Sequence, residues 1–241
     1  MTDIILIRHG ETDWNREFRF QGHSDVPLNG VGHEQARRLV EALRDEPITH
    51  VVSSDLTRTQ QTAAPLLRSR GLTLTALPQW REQAFGDFEG QRLAELPQQY
   101  PEIWAQWRRH DPDFRLPGAS ESRRHFQARA VRALFDQVHA HEALAREQPG
   151  GVGRLVVFTH GGLLDMLYRA ATGASLQGPR VALIPNAGIN RLRVSGQRIE
   201  IIDWAEDGHL AGLPSTLPPF QQTAPAETHG PAQAAAPQAP R

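Results

Sequence analysis

Leu6-Ile7-Arg8-His9-Gly10-Glu11-Thr12 is the stretch on which the reading of this chain turns. It continues an apolar run, Ile4 to Ile7, that reads as a buried strand. The run delivers an arginine and a histidine together at its C-terminal end. In α/β proteins that edge is where ligands bind, because loops and helix N-termini converge there. A cation beside an imidazole suits a site that holds an anion and attacks it. Gly10 lets the backbone turn sharply and approach a ligand closely. The residues point to a phosphate pocket with histidine as the nucleophile.

Working outward, His33 to Glu46 reads as an amphipathic helix with Ala36, Leu39, Val40 and Leu43 on one face. His50 to Ser53 reads as a second buried strand. Asp55 to Arg70 has helical character, with Pro65 expected to kink it or mark a turn. Leu72 to Leu77 reads as a third strand. The region from Trp80 to Pro117 carries three tryptophans, several prolines and many charges, and reads as an excursion from the sheet. Ser120 to Arg146 is a long helix with Ser120 or Ser122 as N-cap. Arg154 to Thr159 is the most strand-like segment of the chain, and it runs into His160-Gly161-Gly162 and a helix from Leu163 to Ala171. Ile189 to Val194 and Arg198 to Trp204 fit a hairpin. Strands alternating with helices predict an α/β fold, a three-layer α/β/α sandwich around a mostly parallel sheet. The folded domain is expected over residues 1–211, with about 80–124 as a substrate-side cap. The Pro/Ala/Gln-rich residues 212–241 are expected to be disordered.

Composition narrows the chemistry. The 241 residues suffice for one domain with a substantial core. A net charge of -1 gives no global reason to bind nucleic acid or an anionic membrane. No apolar run reaches the length of a membrane span and the N-terminus lacks a charged-then-apolar leader, so a cytoplasmic location is expected. There is no cysteine, which excludes disulfides, thiolate metal sites and a cysteine nucleophile. All 26 basic residues counted as Lys+Arg are arginine. Schiff-base chemistry and the lysine-dependent Walker A loop are therefore excluded, and any phosphate must be held by arginine, histidine and backbone N–H groups.

Two further segments repeat the logic of the first. Val156-Val157-Phe158-Thr159-His160-Gly161 is again an apolar strand ending in histidine and glycine before a helix, whose N-terminus attracts anions. Ser53-Ser54-Asp55-Leu56-Thr57-Arg58-Thr59 ends a strand in small polar residues and places an arginine at the next helix start. If these strands are neighbours, Arg8, His9, Arg58 and His160 can surround one phosphate.

Together these segments resemble the histidine phosphatase superfamily, also called the phosphoglycerate mutase-like family. Leu6 to Asn15 is similar to its signature, Gln21-Gly22 through Gly32 to its second loop, and Ser53 to Thr62 to its arginine-bearing helix start. Glu82-Gln83-Ala84-Phe85-Gly86-Asp87-Phe88-Glu89-Gly90 resembles its acid loop, and Thr159-His160-Gly161-Gly162 its second histidine. The resemblance implies that His9 attacks phosphorus and becomes phosphohistidine, dividing one hard hydrolysis into two easier steps. Arg8 and Arg58 would grip the non-bridging oxygens and keep His9 unprotonated. His160 would donate to the same oxygens, with Asn15 and the backbone around Gln21, Gly22 and Gly161 completing the cradle. Glu82 would be the general acid that protonates the leaving oxygen and later activates water, with Glu89 as its rival. For that role Glu82 must carry a proton near neutral pH, which partial burial and a nearby phosphate anion favour.

The implied activity is that of a phosphatase on small phosphorylated metabolites, with no metal and no cofactor. Phe114 to Ser122 resembles the Pro-Gly-Gly-Glu-Ser segment of the phosphatase branch, from which Ala119 departs, and the Arg-Ser-Tyr/Phe-Asp stretch of the mutases is absent. A cofactor-dependent phosphoglycerate mutase and a non-catalytic phospho-ligand binder stand as alternatives. A metal site on His9, His160 and Glu82 is opposed by the neighbouring arginines. A homodimer is allowed but not demanded. Trp104 and Trp107 with Arg108 and Arg109 read equally as a substrate lid or as packing, and His23, His33, His110, His139 and His141 as solvated.

Overall fold

A computed structural model of the protein describes residues 1–147 and 153–214. Six strands form one sheet: β1 (Thr2–Arg8), β2 (Ile48–Ser53), β3 (Leu74–Ala76), β4 (Arg154–Thr159), β5 (Ile189–Ser195) and β6 (Arg198–Glu206). Their spatial order is β3-β2-β4-β1-β5-β6. The pairs β2–β3, β2–β4 and β1–β4 are parallel, while β5 lies antiparallel to both β1 and β6. This is the expected α/β architecture with a mostly parallel sheet, carrying an antiparallel hairpin along one edge.

The unbroken apolar runs of β1 and β4 follow from burial on both faces of the sheet. Ile4, Leu6, Leu155 and Val157 point into one core, and Ile5, Ile7, Val156 and Phe158 into the other. The first core is closed by α6 (Arg123–Glu147) and α7 (Gly161–Thr172), through Phe126, Ala130, Leu134, Leu163 and Leu167. The second is closed by α2 (Gly30–Ala42) and α3 (Thr57–Arg70), through Leu39, Ala63 and Leu66. A short helix, α1 (Asp13–Arg16), opens on a capping box between Thr12 and Asn15.

Local differences from expectation have local causes. The helix expected from His33 begins at Gly30, because Asn29 accepts a hydrogen bond from Gly32 N and caps it there. Pro65 lies inside α3 without ending it. The third strand shrinks to three residues on the sheet edge. Ser122, not Ser120, accepts from His125 N at the start of α6. Ser120 instead bridges to Phe85 and donates to Leu116 O.

Between Trp80 and α6 the chain leaves the sheet and forms α4 (Leu96–Gln99) and α5 (Pro101–Trp107). Together with Phe20 this segment builds a third apolar cluster, from Phe88, Leu96 and Leu116, with Phe85, Leu93, Trp104, Trp107 and Phe114 packed against it. His141, expected in solvent, is buried and meets His50 edge-on at 5.1 Å. After β6 the chain packs back on α2, where Arg38 donates to the carbonyls of His209 and Ala211. The tail expected to be disordered lies, from residue 215 onward, outside the described residues. No described helix is long and apolar enough to cross a membrane.

Candidate active site

The three strand ends singled out in the sequence are neighbours, in the order β2-β4-β1. Arg8 is level with Thr159 across β1–β4, and Ser53 with Phe158 across β2–β4. His9 N continues the ladder to Thr159 O at 2.9 Å, and Ser54 N to Phe158 O at 3.0 Å. Because the sheet is parallel here, all three ends open on the same edge, where α3 and α7 begin.

The fold brings together Arg8, His9, Arg58 and His160, all of them buried. His9 Nδ1 lies 2.7 Å from Gly10 O, so Nδ1–H donates to that carbonyl and Nε2 keeps its lone pair. Burial, reinforced by the guanidiniums of Arg58 and Arg8, holds the imidazole well below the ordinary histidine value. The result is a neutral, oriented imidazole beside two cations.

His160, at the N-cap of α7, stands 5.2 Å from His9 in an edge-to-face arrangement. Its Nδ1 accepts from Arg58 Nε at 3.3 Å, which fixes the proton on Nε2. Burial, then Arg58, likewise pushes this imidazole well below its usual range. His160 Nε2 and Arg8 Nε are buried and have no hydrogen-bond partner among the described residues. Buried donors need acceptors, and phosphoryl oxygens supply them.

Arg58 is fixed through its other edges. Nη1 donates to Ser24 O and Nη2 to Gly22 O, each at 2.8 Å. Gly22 has φ +51, and a Cβ there would lie 2.0 Å from Glu89 Oε1, so the loop needs glycine on two counts. Asp25, from the same loop, caps the start of α3 by accepting from Thr57 N and Oγ1, both at 2.7 Å. Burial pushes Arg58 down to about 10 and Arg8 to about 9, with Arg180 adding to the effect on Arg8.

Glu82 reaches this edge from the excursion. Its Oε2 accepts from Gly162 N at 2.7 Å and its Oε1 from Gln83 N at 2.9 Å. A Cβ on Gly162 would fall 2.1 Å from Glu82 Oε1, so the carboxylate sits against bare backbone in the first turn of α7. Glu89, the rival acid, is committed elsewhere: its oxygens accept from His23 N, Ser24 N, Ser24 Oγ and Phe85 N. It ties the Gly22–Ser24 loop to the acid loop.

The flanking residues expected to complete the cradle are also at the edge. Asn15 Oδ1 receives Thr12 N and Asn186 Nδ2, which leaves its amide nitrogen to meet a ligand. Gln21 Oε1 receives Thr12 Oγ1 at 3.0 Å, with the same consequence. Gly161 is the first residue of α7, where N–H groups have no partner within the helix. The point its Cβ would occupy is 3.1 Å from Arg8 Nε and 3.4 Å from Arg180 Nη1.

Three residues were missed. Arg180 lies beside Arg8 but belongs to a Gly-Pro-Arg loop with no periodic signal. Asn186 Nδ2 holds His9 O at 3.0 Å from a loop 177 residues away. Arg129 sits inside α6, and only the fold shows that its guanidinium spans the acid loop. His23, expected in solvent, has its Nε2 2.9 Å from Glu82 O. Among the described residues no group of three or more His, Cys, Asp or Glu is arranged to hold a metal ion.

Residues 4–207 match the family model of the histidine phosphatase superfamily (branch 1). The chain is 34% identical over 211 residues to phosphoglycerate mutase-like protein 4 of Arabidopsis thaliana, covering 86% of each chain. It is 32% identical over 215 residues to the metal-independent phosphoserine phosphatase of the same plant, covering 88% of this chain and 85% of the relative. Among solved structures it resembles a mycobacterial glucosyl-3-phosphoglycerate phosphatase complexed with VO3. That likeness has a TM-score of 0.72 at 27% identity and covers 86% of this chain and all of the other. With two buried histidines, two buried arginines and a carboxylate at one sheet edge, the chain belongs to the histidine phosphatase superfamily (branch 1) and is a phosphoric monoester hydrolase of phosphoglycerate mutase-like fold.

Proposed function

We propose that this protein is a metal-independent phosphatase of small phosphorylated metabolites, working through phosphohistidine on His9 with Glu82 as general acid and base. The observation that carries the reading is the His9 imidazole, held neutral by burial and then by Arg58 and Arg8, and oriented by its bond to Gly10 O. In the first step the Nε2 lone pair attacks phosphorus and the ester P–O bond breaks. Glu82 delivers a proton to the departing alkoxide, which leaves as the alcohol. In the second step Glu82 takes a proton from water, whose oxygen attacks phosphorus as the P–N bond breaks. Inorganic phosphate departs and His9 returns to its neutral form.

Arg8 and Arg58 hold the charge that spreads over the non-bridging oxygens, with the Nε2–H of His160 as a third donor. Arg180 extends the cationic rim. The amide ends of Asn15 and Gln21 and the backbone at Gly22 and Gly161 complete the cradle. Residues 1–211 make up the catalytic domain, and residues about 80–124 form its substrate-side cap.

The test is release of inorganic phosphate from a panel of phosphomonoesters in the presence of chelator, with 3-phosphoglycerate plus its bisphosphate primer as a parallel mutase assay. Release of phosphate without phosphoryl transfer between positions is the expected result. Primer-dependent interconversion faster than hydrolysis overturns it, as does loss of turnover in chelator.

A further inference from the structure

A cavity of about 430 Å³ opens beside Glu82 and Gly162 and extends under the excursion. One side of its wall is aromatic and apolar, with Phe85, Trp107, Phe114 and Met166 facing it, and the rest is polar, including Gln83, His110, Asp111 and Glu121. Trp107 is packed there against other rings. It stacks on Trp104 at 5.2 Å and 20°, and meets Phe20 edge-on at 5.4 Å and 81°. Such packed rings form a wall that needs no rearrangement to receive a flat ligand. The half-buried cation of the wall, Arg123, is already answered by Asp165 at 3.7 Å and by Gly178 O at 2.8 Å. Arg169 is bonded to the same Asp165 at 3.0 Å. Arg108 reaches the cavity from an exposed position, and Arg180 stands at the phosphate end beside Arg8.

Glu82 lines both the phosphate site and this cavity, so whatever is esterified to a phosphate held between Arg8 and Arg58 leads into it. Cavities of roughly 300–1,000 Å³ enclose drug-sized molecules. A leaving group as small and polar as serine or glycerate fills little of the space and leaves the aromatic wall uncovered. We infer that the leaving group is a flat aromatic, or equally bulky apolar, alcohol that lies against Trp107 and Phe114. This rests on the reading of the site as a phosphatase centre, and it sets the substrate class apart from the amino-acid and sugar-acid phosphates.

Binding to the full-length His9→Ala protein, which lacks the nucleophile, tests the inference without turnover. Calorimetry would compare inorganic phosphate, phosphoserine, phenyl phosphate and 2-naphthyl phosphate. We expect 2-naphthyl phosphate to bind about tenfold tighter than phenyl phosphate. Phosphoserine should bind no tighter than inorganic phosphate. Adding Trp107→Ala should cut the naphthyl advantage to about threefold or less while the affinity for inorganic phosphate, which also reports an intact fold, is unchanged. Equal binding of the two aryl phosphates overturns the inference, and so does tighter binding of phosphoserine than of either. If the binding order holds but wild-type protein hydrolyses none of the esters, the cavity assignment stands and the phosphatase reading falls.

Discussion

Replacing Arg129 by methionine should separate the positioning of the acid from the chemistry at phosphorus. The guanidinium makes five hydrogen bonds: Nε and Nη2 to the two oxygens of Glu121, Nη1 to the carbonyls of Gln79 and Arg81, and Nη2 to the carbonyl of Glu82. Glu121 in turn accepts from Ala84 N, so the pair spans the acid loop from residue 79 to 84. The Arg129 and Glu121 side chains are each 23% exposed, so water can replace part of what is lost. Hydrogen bonds to charged groups contribute about 1.5–3 kcal/mol each when well buried, and with that discount we expect a stability loss of about 2 kcal/mol. The effect on catalysis is selective. A shift of roughly 1 Å in a reacting group can cost about 10²-fold. We expect that loss in kcat/KM, which reports only the step that forms phosphohistidine, with an alkyl phosphate, whose alkoxide needs a proton. With 4-nitrophenyl phosphate, whose leaving group departs as the anion, the loss should stay within about threefold. Steady-state assays on both esters, with denaturation curves for each protein, read the difference. Arg129→Lys, which keeps the charge with fewer donors, should fall between. An equal loss with both esters would refute the positioning argument.

Further predictions concern pH, close packing and charge. His9 and His160 are both depressed by burial, so below about pH 6.5 the unfolded chain takes up protons that the folded imidazoles refuse. Stability should therefore fall as the pH is lowered through that window, with a slope that approaches about 1.4 kcal/mol per unit for each histidine. His160→Gln should remove about half of the pair's share in urea titrations between pH 6.5 and 5.5, and an unchanged slope would contradict the assignment. Gly162→Ala should displace Glu82, because the added methyl would lie 2.1 Å from Oε1. A drop in kcat of at least about tenfold is expected with circular dichroism unaltered, and normal turnover would count against the close approach. Arg180→Gln should weaken binding of inorganic phosphate by about five- to tenfold, as expected for one charge-assisted contact, and unchanged binding would remove Arg180 from the site.

Much of this site could be read from the chain because its parts lie at the ends of uninterrupted apolar strands. Arg8-His9 and Thr159-His160 follow runs whose burial on both sheet faces leaves one structural reading. Arg58 was readable for a similar reason, since it follows a strand end by a few residues. What the sequence concealed depends on long-range closure. Nothing local to the interior of α6 marks Arg129 as the clamp of a loop nearly fifty residues earlier. Arg180 and Asn186 belong to a connection whose path is set only when β5 pairs with β1. Glu82 and Glu89 share one loop, and in sequence only the spacing of the motif favours Glu82. Their partners differ in a way that supports this reading: Glu89 receives three backbone N–H groups and a hydroxyl, whereas Glu82 receives two backbone N–H groups and faces the cavity. The sequence places the start of α2 late because Gly30-Val31-Gly32 resembles a loop, whereas Asn29 caps the helix there.

The central claim is that His9 carries the phosphoryl group. Rapid acid-free quenching of the full-length protein during turnover of a generic aryl phosphate, in chelator, followed by mass analysis of its peptides, tests it directly. The account predicts an acid-labile phosphate on the peptide containing His9, absent from the His9→Ala protein, which should also release no inorganic phosphate. Turnover that persists in His9→Ala, or a phosphate trapped on another residue, would contradict it.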